Sequence, residues 1–180
     1  MPARDDAPLT GRLVVATPDL ADENFDRAVV LILEHEAEGA LGVILNRTRG
    51  IDVVSLLPAW HDLAASPAVL FSGGPVQPDE AVIGLGRSAT PAQPVTANLG
   101  VIDLEHPPEE QADVTEVRLF TGYAGWGPGQ LEEELETGSW FVVDPTAEDP
   151  LTADPDGLWR RVLLRQGGVF TTVTEDPSLN

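Results

Sequence analysis

Ala28-Val-Val-Leu-Ile-Leu-Glu-His-Glu-Ala-Glu-Gly-Ala-Leu-Gly-Val-Ile-Leu-Asn46 reads as two strands joined by a short turn. Residues 28–33 are apolar at every position, the pattern of a strand covered on both faces. Residues 34–39 turn the chain and residues 41–46 return it, with Gly39 able to supply the positive φ that short hairpin loops need. These strands are expected to form a central antiparallel pair. Before them, residues 11–17 are a β-branched run ended by Pro18, a further strand, and residues 19–25 suit a short helical turn.

After the hairpin, apolar residues at 53, 56, 57, 60, 63 and 64 follow helical spacing across 51–65. Pro58 removes a backbone donor inside that stretch, which predicts two short helical pieces or a kink. Residues 68–72, 81–86, 101–104, 114–120 and 140–143 read as strands. Residues 128–137 read as a helix with Leu131 and Leu135 on its inner face and Gly138 as its stop. Asp154-Pro155 opens a last helix, with Leu158, Trp159, Val162 and Leu163 inward, that ends before Gly167. The loops 87–98, 105–113 and 144–153 are rich in proline and acid, and none is long enough for a domain of its own. No internal repeat is visible. The expected organisation is a flexible N-terminus over 1–9, one domain over 10–173 and a flexible tail over 174–180. Strands outnumber helices and hairpins dominate, so the class is α+β around a mainly antiparallel sheet.

A chain of 180 residues can bury roughly 70 % of its unfolded surface without help from disulfides or metals. It contains no cysteine, which excludes disulfides, thiolate catalysis and cysteine-ligated zinc. The longest apolar run, 28–33, falls far short of the ~20 residues of a membrane span. The first residues lack the apolar region of a signal peptide. A soluble cytoplasmic protein that keeps away from membranes is the expectation. Thirty acidic residues against ten basic ones give a net charge of −20, and every basic residue is an arginine. Such a surface repels phosphate backbones and anionic lipid. Direct DNA binding would require the few arginines to gather in one patch.

Four segments carry residues with possible chemistry. In Phe120-Thr-Gly-Tyr-Ala-Gly-Trp-Gly-Pro-Gly-Gln-Leu-Glu-Glu-Glu134, a strand breaks into glycines and opens a helix, the local layout of many anion sites. Glu132, Glu133 and Glu134 already occupy the positive end of that helix, and no lysine follows the glycines. A turn that positions Tyr123 and Trp126 explains the glycines better than a phosphate cradle. His35 lies among Glu34, Glu36 and Glu38, a set with the ingredients of acid–base or metal chemistry. Its spacing does not match the helical metal motif with two histidines four residues apart, and a surface or packing histidine is the plainer reading. His61 and His106 read as solvent-facing, and no serine occupies a Gly-x-Ser-x-Gly elbow. Arg160, Arg161 and Arg165 form a small basic face, read as favouring the negative end of the last helix and offsetting nearby acid.

Several segments together resemble the YqgE/AlgH family of small bacterial proteins. They are Gly11-Arg-Leu-Val-Val-Ala-Thr-Pro-Asp-Leu20, Phe25-Asp-Arg-Ala-Val-Val-Leu-Ile-Leu-Glu-His35 and Gly39-Ala-Leu-Gly-Val-Ile-Leu-Asn-Arg47, then Gly73-Gly-Pro-Val76, Gly122-Tyr-Ala-Gly-Trp126, Gly129-Gln-Leu-Glu132 and Trp140. The resemblance implies an α+β fold with a bifurcated, partly barrel-like sheet flanked by a few short helices. It implies no cofactor, no metal and no established reaction, and a regulatory label tied to alginate control without an evident DNA-binding domain. The motif positions Arg27, His35, Asn46, Gly73, Gly74, Tyr123, Trp126 and Gln130 become candidates for binding a ligand or partner, alongside Gly39 and Glu132. The expected function is regulation or binding through a protein or small-molecule partner. The alternatives are an enzyme using His35 with a nearby carboxylate, metal-assisted or not, and a DNA-binding regulator, which the charge of −20 disfavours.

Overall fold

The computed structural model describes residues 8–20, 22–111 and 113–167. The expected flexible tail, 174–180, lies outside the described residues, as does most of the expected flexible N-terminus. Leu9, assigned to that N-terminus, is buried in an apolar cluster.

Two sheets carry the chain. The first contains β1 (Leu13–Ala16), β2 (Val29–Glu36), β3 (Gly39–Ile44), β10 (Ala124–Trp126) and β11 (Trp140–Val143), in the order β10-β3-β2-β1-β11. All its pairings are antiparallel. The second contains β4 (Thr48–Asp52), β5 (Val69–Ser72), β6 (Val82–Ser88), β7 (Pro94–Thr96), β8 (Leu99–Ile102) and β9 (Val114–Thr121), in the order β4-β5-β9-β6-β8-β7. Only β5 and β9 run parallel there. The mainly antiparallel α+β expectation holds, and the barrel-like sheet resolves into two open sheets.

The fork between them is made by strands that change sheet. β3 leads within a few residues to β4, and β9 leads to β10 across Gly122-Tyr123. The expected glycine turn at 122–126 is therefore a crossing between sheets, and its second half is a strand. Backbone bonds sew the fork together: the Ile44 N–H donates to the Gly73 carbonyl at 2.8 Å, and the Gly73 N–H donates to the Thr121 carbonyl at 2.8 Å.

The main core lies between the sheets. Leu13, Leu31 and Val43 from the first meet Phe71, Leu85 and Phe120 from the second. α3 (Leu158–Gln166) adds Leu158, Trp159, Val162 and Leu163, the inward set its spacing predicts. The far face of the second sheet is covered by α1 (Val53–Leu56) and a 3-10 turn at Pro58–Leu63, with Val53 and Trp60 buried. The break falls before Pro58, as its missing donor predicts. The far face of the first sheet is covered by α2 (Gln130–Glu136) through Leu131, and by Trp126 and Trp140. β1 and the start of β2 are thus buried on both faces, which is why they are apolar at successive positions.

Three local expectations change. The segment after Pro18 forms hydrogen-bonded turns among its described residues, not a helical piece. β4 and β7 were not expected as strands; both are short edge strands, and β4 is exposed throughout, so neither carries an apolar alternation to read. His35 belongs to β2 rather than to the turn, which is only Ala37-Glu38.

Candidate functional site

The motif segments meet at the fork and on the α2 side of the first sheet. At the crossing, Gly122 has a φ of +71°, a conformation only glycine adopts at no steric cost. Val76 and Tyr123 exchange backbone hydrogen bonds at 3.0 Å in both directions. Gly74, with a φ of +153°, lies so close that a Cβ there would run into the Tyr123 carbonyl group. Gly73 and Gly74 are thus close-approach residues. Tyr123 packs half-buried against the main core.

Beyond the crossing, α2 is tied back to the aromatic residues that cover the sheet. The Gly127 N–H donates to Gln130 Oε1 at 3.0 Å, so an amide that would face an anion is already capped by the helix's own first residue. Gln130 Nε2 donates to Glu134 Oε2 at 2.9 Å. Glu134 Oε1 accepts the indole N–H groups of Trp126 at 3.3 Å and Trp140 at 3.0 Å. Phe25 sits against both indoles, with ring centroids 6.2 Å from Trp126 and 5.4 Å from Trp140. Glu134 was missed as an organising residue. Its signal was its place four residues after Gln130 on one helix face, with two buried indoles needing acceptors.

His35 is placed by a bulge. Ile32 pairs with Gly42 and Glu34 with Leu41, so Leu33 has no opposite number on β3. An extra residue shifts the strand's alternation by one. Val30 and Ile32 point toward the α2 side, and beyond the bulge His35 takes that side in place of Glu34. The carboxylates next to His35 in sequence, Glu34, Glu36 and Glu38, do not gather with it into a metal-ligating group. The carboxylate that meets His35 is Glu132 of α2, in contact with Nε2. On the other ring nitrogen, Nδ1 accepts the backbone N–H of Leu9 at 2.9 Å. An accepting Nδ1 carries no proton, so Nε2 bears the hydrogen and donates to Glu132. The His35 hydrogen bond, with one from its own backbone N–H, holds the Glu132 carboxyl below the usual carboxylate range. Among the described residues, no group of three or more metal-ligating side chains comes together.

Asn46 and Arg27 form a separate unit. Asn46 Oδ1 accepts the Val29 N–H at 3.0 Å, and Nδ2 donates to the Arg27 carbonyl at 2.8 Å. Arg27 has a φ of +54°, a conformation costly for a side chain with a Cβ, and Asn46 holds the turn that imposes it. The neighbouring Arg47 reinforces the unit by donating to the carbonyls of Asn24 and Asp26. The candidates therefore assemble as three groups: Gly73, Gly74 and Tyr123 at the crossing; His35 and Trp126 beneath α2 with Gln130 at its start; Arg27 and Asn46 at the start of β2.

Openings lie nearby and elsewhere. A shallow groove of about 220 Å³ runs beside Trp126 and is edged by Glu34, Glu36 and Glu38. A cleft of about 230 Å³ lies at the far end of the second sheet, lined by Ser88, Thr90, Gln93, Gln111 and Asp113 over Val101 and Ile102. No motif polar residue lines that cleft. The three arginines of α3 do not act as one face. Arg161 pairs with Asp154 at 2.6 Å and Arg165 with Asp149 at 2.8 Å, while Arg160 is exposed. His61 is exposed, and His106 is exposed beside Glu110 and Asp103.

The fork, its two glycine segments and the α2 cover are the parts that carry the motif residues, and the AlgH-like family model matches residues 13–171. The chain belongs to the AlgH-like family. A UPF0301 protein of Streptomyces avermitilis is 51% identical over 184 residues, covering 96% of this chain and 95% of the relative. One from Thermobifida fusca is 43% identical over 189 residues, covering 96% of each. Among solved structures, a Corynebacterium diphtheriae protein matches with a TM-score of 0.85 at 31% identity, over 92% of this chain and 91% of that one. The AlgH protein of Pseudomonas aeruginosa matches with a TM-score of 0.70 at 25% identity, over 95% of each. No helix among the described residues of this AlgH-like chain is long and apolar enough to cross a membrane.

Proposed function

We propose that this AlgH-like chain is a regulatory or binding protein that acts through a protein or small-molecule partner in the cytoplasm. The observation that carries the reading is the state of the motif polar groups. His35, Asn46 and Gln130 each use both ends of the side chain on internal partners. Groups committed in this way shape a surface; they are not poised to exchange protons with a substrate. Two features elsewhere on the molecule offer a partner a place to bind. One is the 230 Å³ cleft, whose hydroxyl, amide and carboxylate groups over an apolar floor suit a small polar molecule. The other is the exposed apolar set Ile51, Val54 and Leu56 on β4 and α1.

The test pairs ligand screening with capture. Thermal-shift screening against metabolites is run on the wild type and on Asp113→Asn, and capture from host extract is run on the wild type and on Val54→Asp/Leu56→Asp. A ligand shift or a captured partner that depends on one of these positions supports the reading. Identical, featureless results for all forms overturn it.

The enzyme reading draws on one observation, the His35–Glu132 pair, since a carboxylate commonly orients a histidine base. It requires Leu9 to leave Nδ1 before substrate can enter. A metal- or substrate-dependent thermal shift abolished by His35→Gln supports it, and no shift with any divalent ion or metabolite removes it. DNA binding is not proposed: two of the three α3 guanidiniums are held by carboxylates in a chain of net charge −20.

A further inference from the structure

We propose that His35 is a pH-operated latch on the backbone at Leu9. Nδ1 of His35 is the acceptor for the Leu9 N–H at 2.9 Å, and the ring is mostly buried. The Leu9 side chain is buried in the cluster that contains Val14, Trp126 and Leu131. From Gly11 onward the chain is anchored separately, because the Gly11 N–H donates to the Ile32 carbonyl at 2.8 Å. Leu9 thus lies just outside the sheet's own hydrogen bonding, and its N–H depends on one imidazole nitrogen.

Protonation at Nδ1 turns that acceptor into a donor facing another donor. The latched form binds one proton fewer at this site, so it is favoured as pH rises and lost as pH falls. Imidazole is the side chain that ordinarily changes charge between about pH 5 and 8. Glu132 on α2 is the carboxylate that faces the ring, at Nε2, while Glu34 and Glu36 adjoin His35 along β2 on the opposite face and Glu38 occupies the hairpin turn. Acidification therefore exchanges the Leu9 hydrogen bond for a charge-assisted pair with Glu132. α2 stays docked while Leu9 detaches and uncovers apolar surface beside Trp126 and Leu131.

Two substitutions separate the ring's two contacts. In His35→Asn the amide oxygen stands near the Nδ1 position and accepts the Leu9 N–H without titrating. In His35→Gln the amide reaches the Nε2 position toward Glu132 and leaves Leu9 without its acceptor. Amide exchange at Leu9 is measured by NMR on the full chain at pH 7.5 and pH 5.5, as protection relative to the intrinsic rate. In the wild type, protection is expected to fall about tenfold on acidification, the scale of one hydrogen bond. His35→Asn is expected to hold Leu9 equally at both pH values, and His35→Gln to leave it weakly protected at both. Equal protection in the wild type at the two pH values overturns the proposal. So does a His35→Asn variant that responds like the wild type, because His61 and His106 remain in it.

Discussion

Arg165 holds Asp149 with both arms of its guanidinium, Nη2 to Oδ2 at 2.8 Å and Nη1 to Oδ1 at 3.2 Å. Asp149 is buried, and its Oδ2 also accepts the Thr146 N–H at 2.8 Å. The pair fastens α3 to the loop after β11, so an arginine read as offsetting nearby acid fixes the helix at its C-terminal end. Removing the cation leaves a buried carboxylate uncompensated. Arg165→Ala is expected to lower stability by about 3 kcal/mol. The double variant Arg165→Ala/Asp149→Ala should lose less than Arg165→Ala and Asp149→Ala combined, because neither charge is stranded. Urea unfolding of the four proteins measures both.

Glu134 is the acceptor for two buried indoles and for Gln130. Glu134→Ala strands two N–H donors and is expected to lose about 2–4 kcal/mol. Glu134→Gln keeps an oxygen for the indoles and should lose about half as much. Unfolding followed by tryptophan fluorescence reads the stability loss and the altered surroundings of Trp126 and Trp140 together. Equal stability of Glu134→Ala and the wild type would remove Glu134 from its organising place.

The Glu132 carboxyl is held below the usual carboxylate range, first by its hydrogen bond with His35. A carboxyl lowered in the folded state adds stability above its unfolded value of about 4.3, and that stability disappears as pH falls through the folded value. The urea midpoint of the wild type should therefore fall more steeply below about pH 4 than that of Glu132→Gln. Parallel curves for the two proteins across that range would contradict the assignment.

Gly74 and Gly50 both have positive φ, at +153° and +71°. A Cβ at Gly74 meets the Tyr123 backbone, while one at Gly50 meets nothing within 4 Å. Gly50→Ala is expected to cost about 1 kcal/mol, the conformational term alone. Gly74→Ala adds a backbone collision at the sheet crossing and should cost about 3 kcal/mol or more. Thermal melts of the two variants separate the terms, and similar losses would argue against close approach at the fork.

Much of this fold was legible along the chain. The β2–β3 hairpin, the break before Pro58 and the inner face of α3 each rest on a local cause: continuous apolar character, a missing N–H and a 3.6-residue period. The motif set also pointed to the family. The edge strands β4 and β7 were not legible, because an exposed strand with no buried face shows no alternation. The crossing at Gly122-Tyr123 resembled a turn for a related reason. A glycine with positive φ marks a change of direction without saying which sheet receives the chain.

The candidate site divides along the same line. Residue types were enough to mark His35 and Trp126 and to argue that the glutamates of α2 leave no room for an anion, while Asn46 and Gln130 were marked by the family resemblance. The partners of His35 came from far away in sequence: Glu132 lies 97 residues on and Leu9 26 residues back. A local pattern reports which face a side chain prefers, because burial depends on periodicity over a few residues. Which acceptor or carboxylate stands across from it depends on how strands pair and where a bulge falls. At Leu33 one extra residue moved Glu34 away from α2 and put His35 there, and only the folded sheet could make that choice.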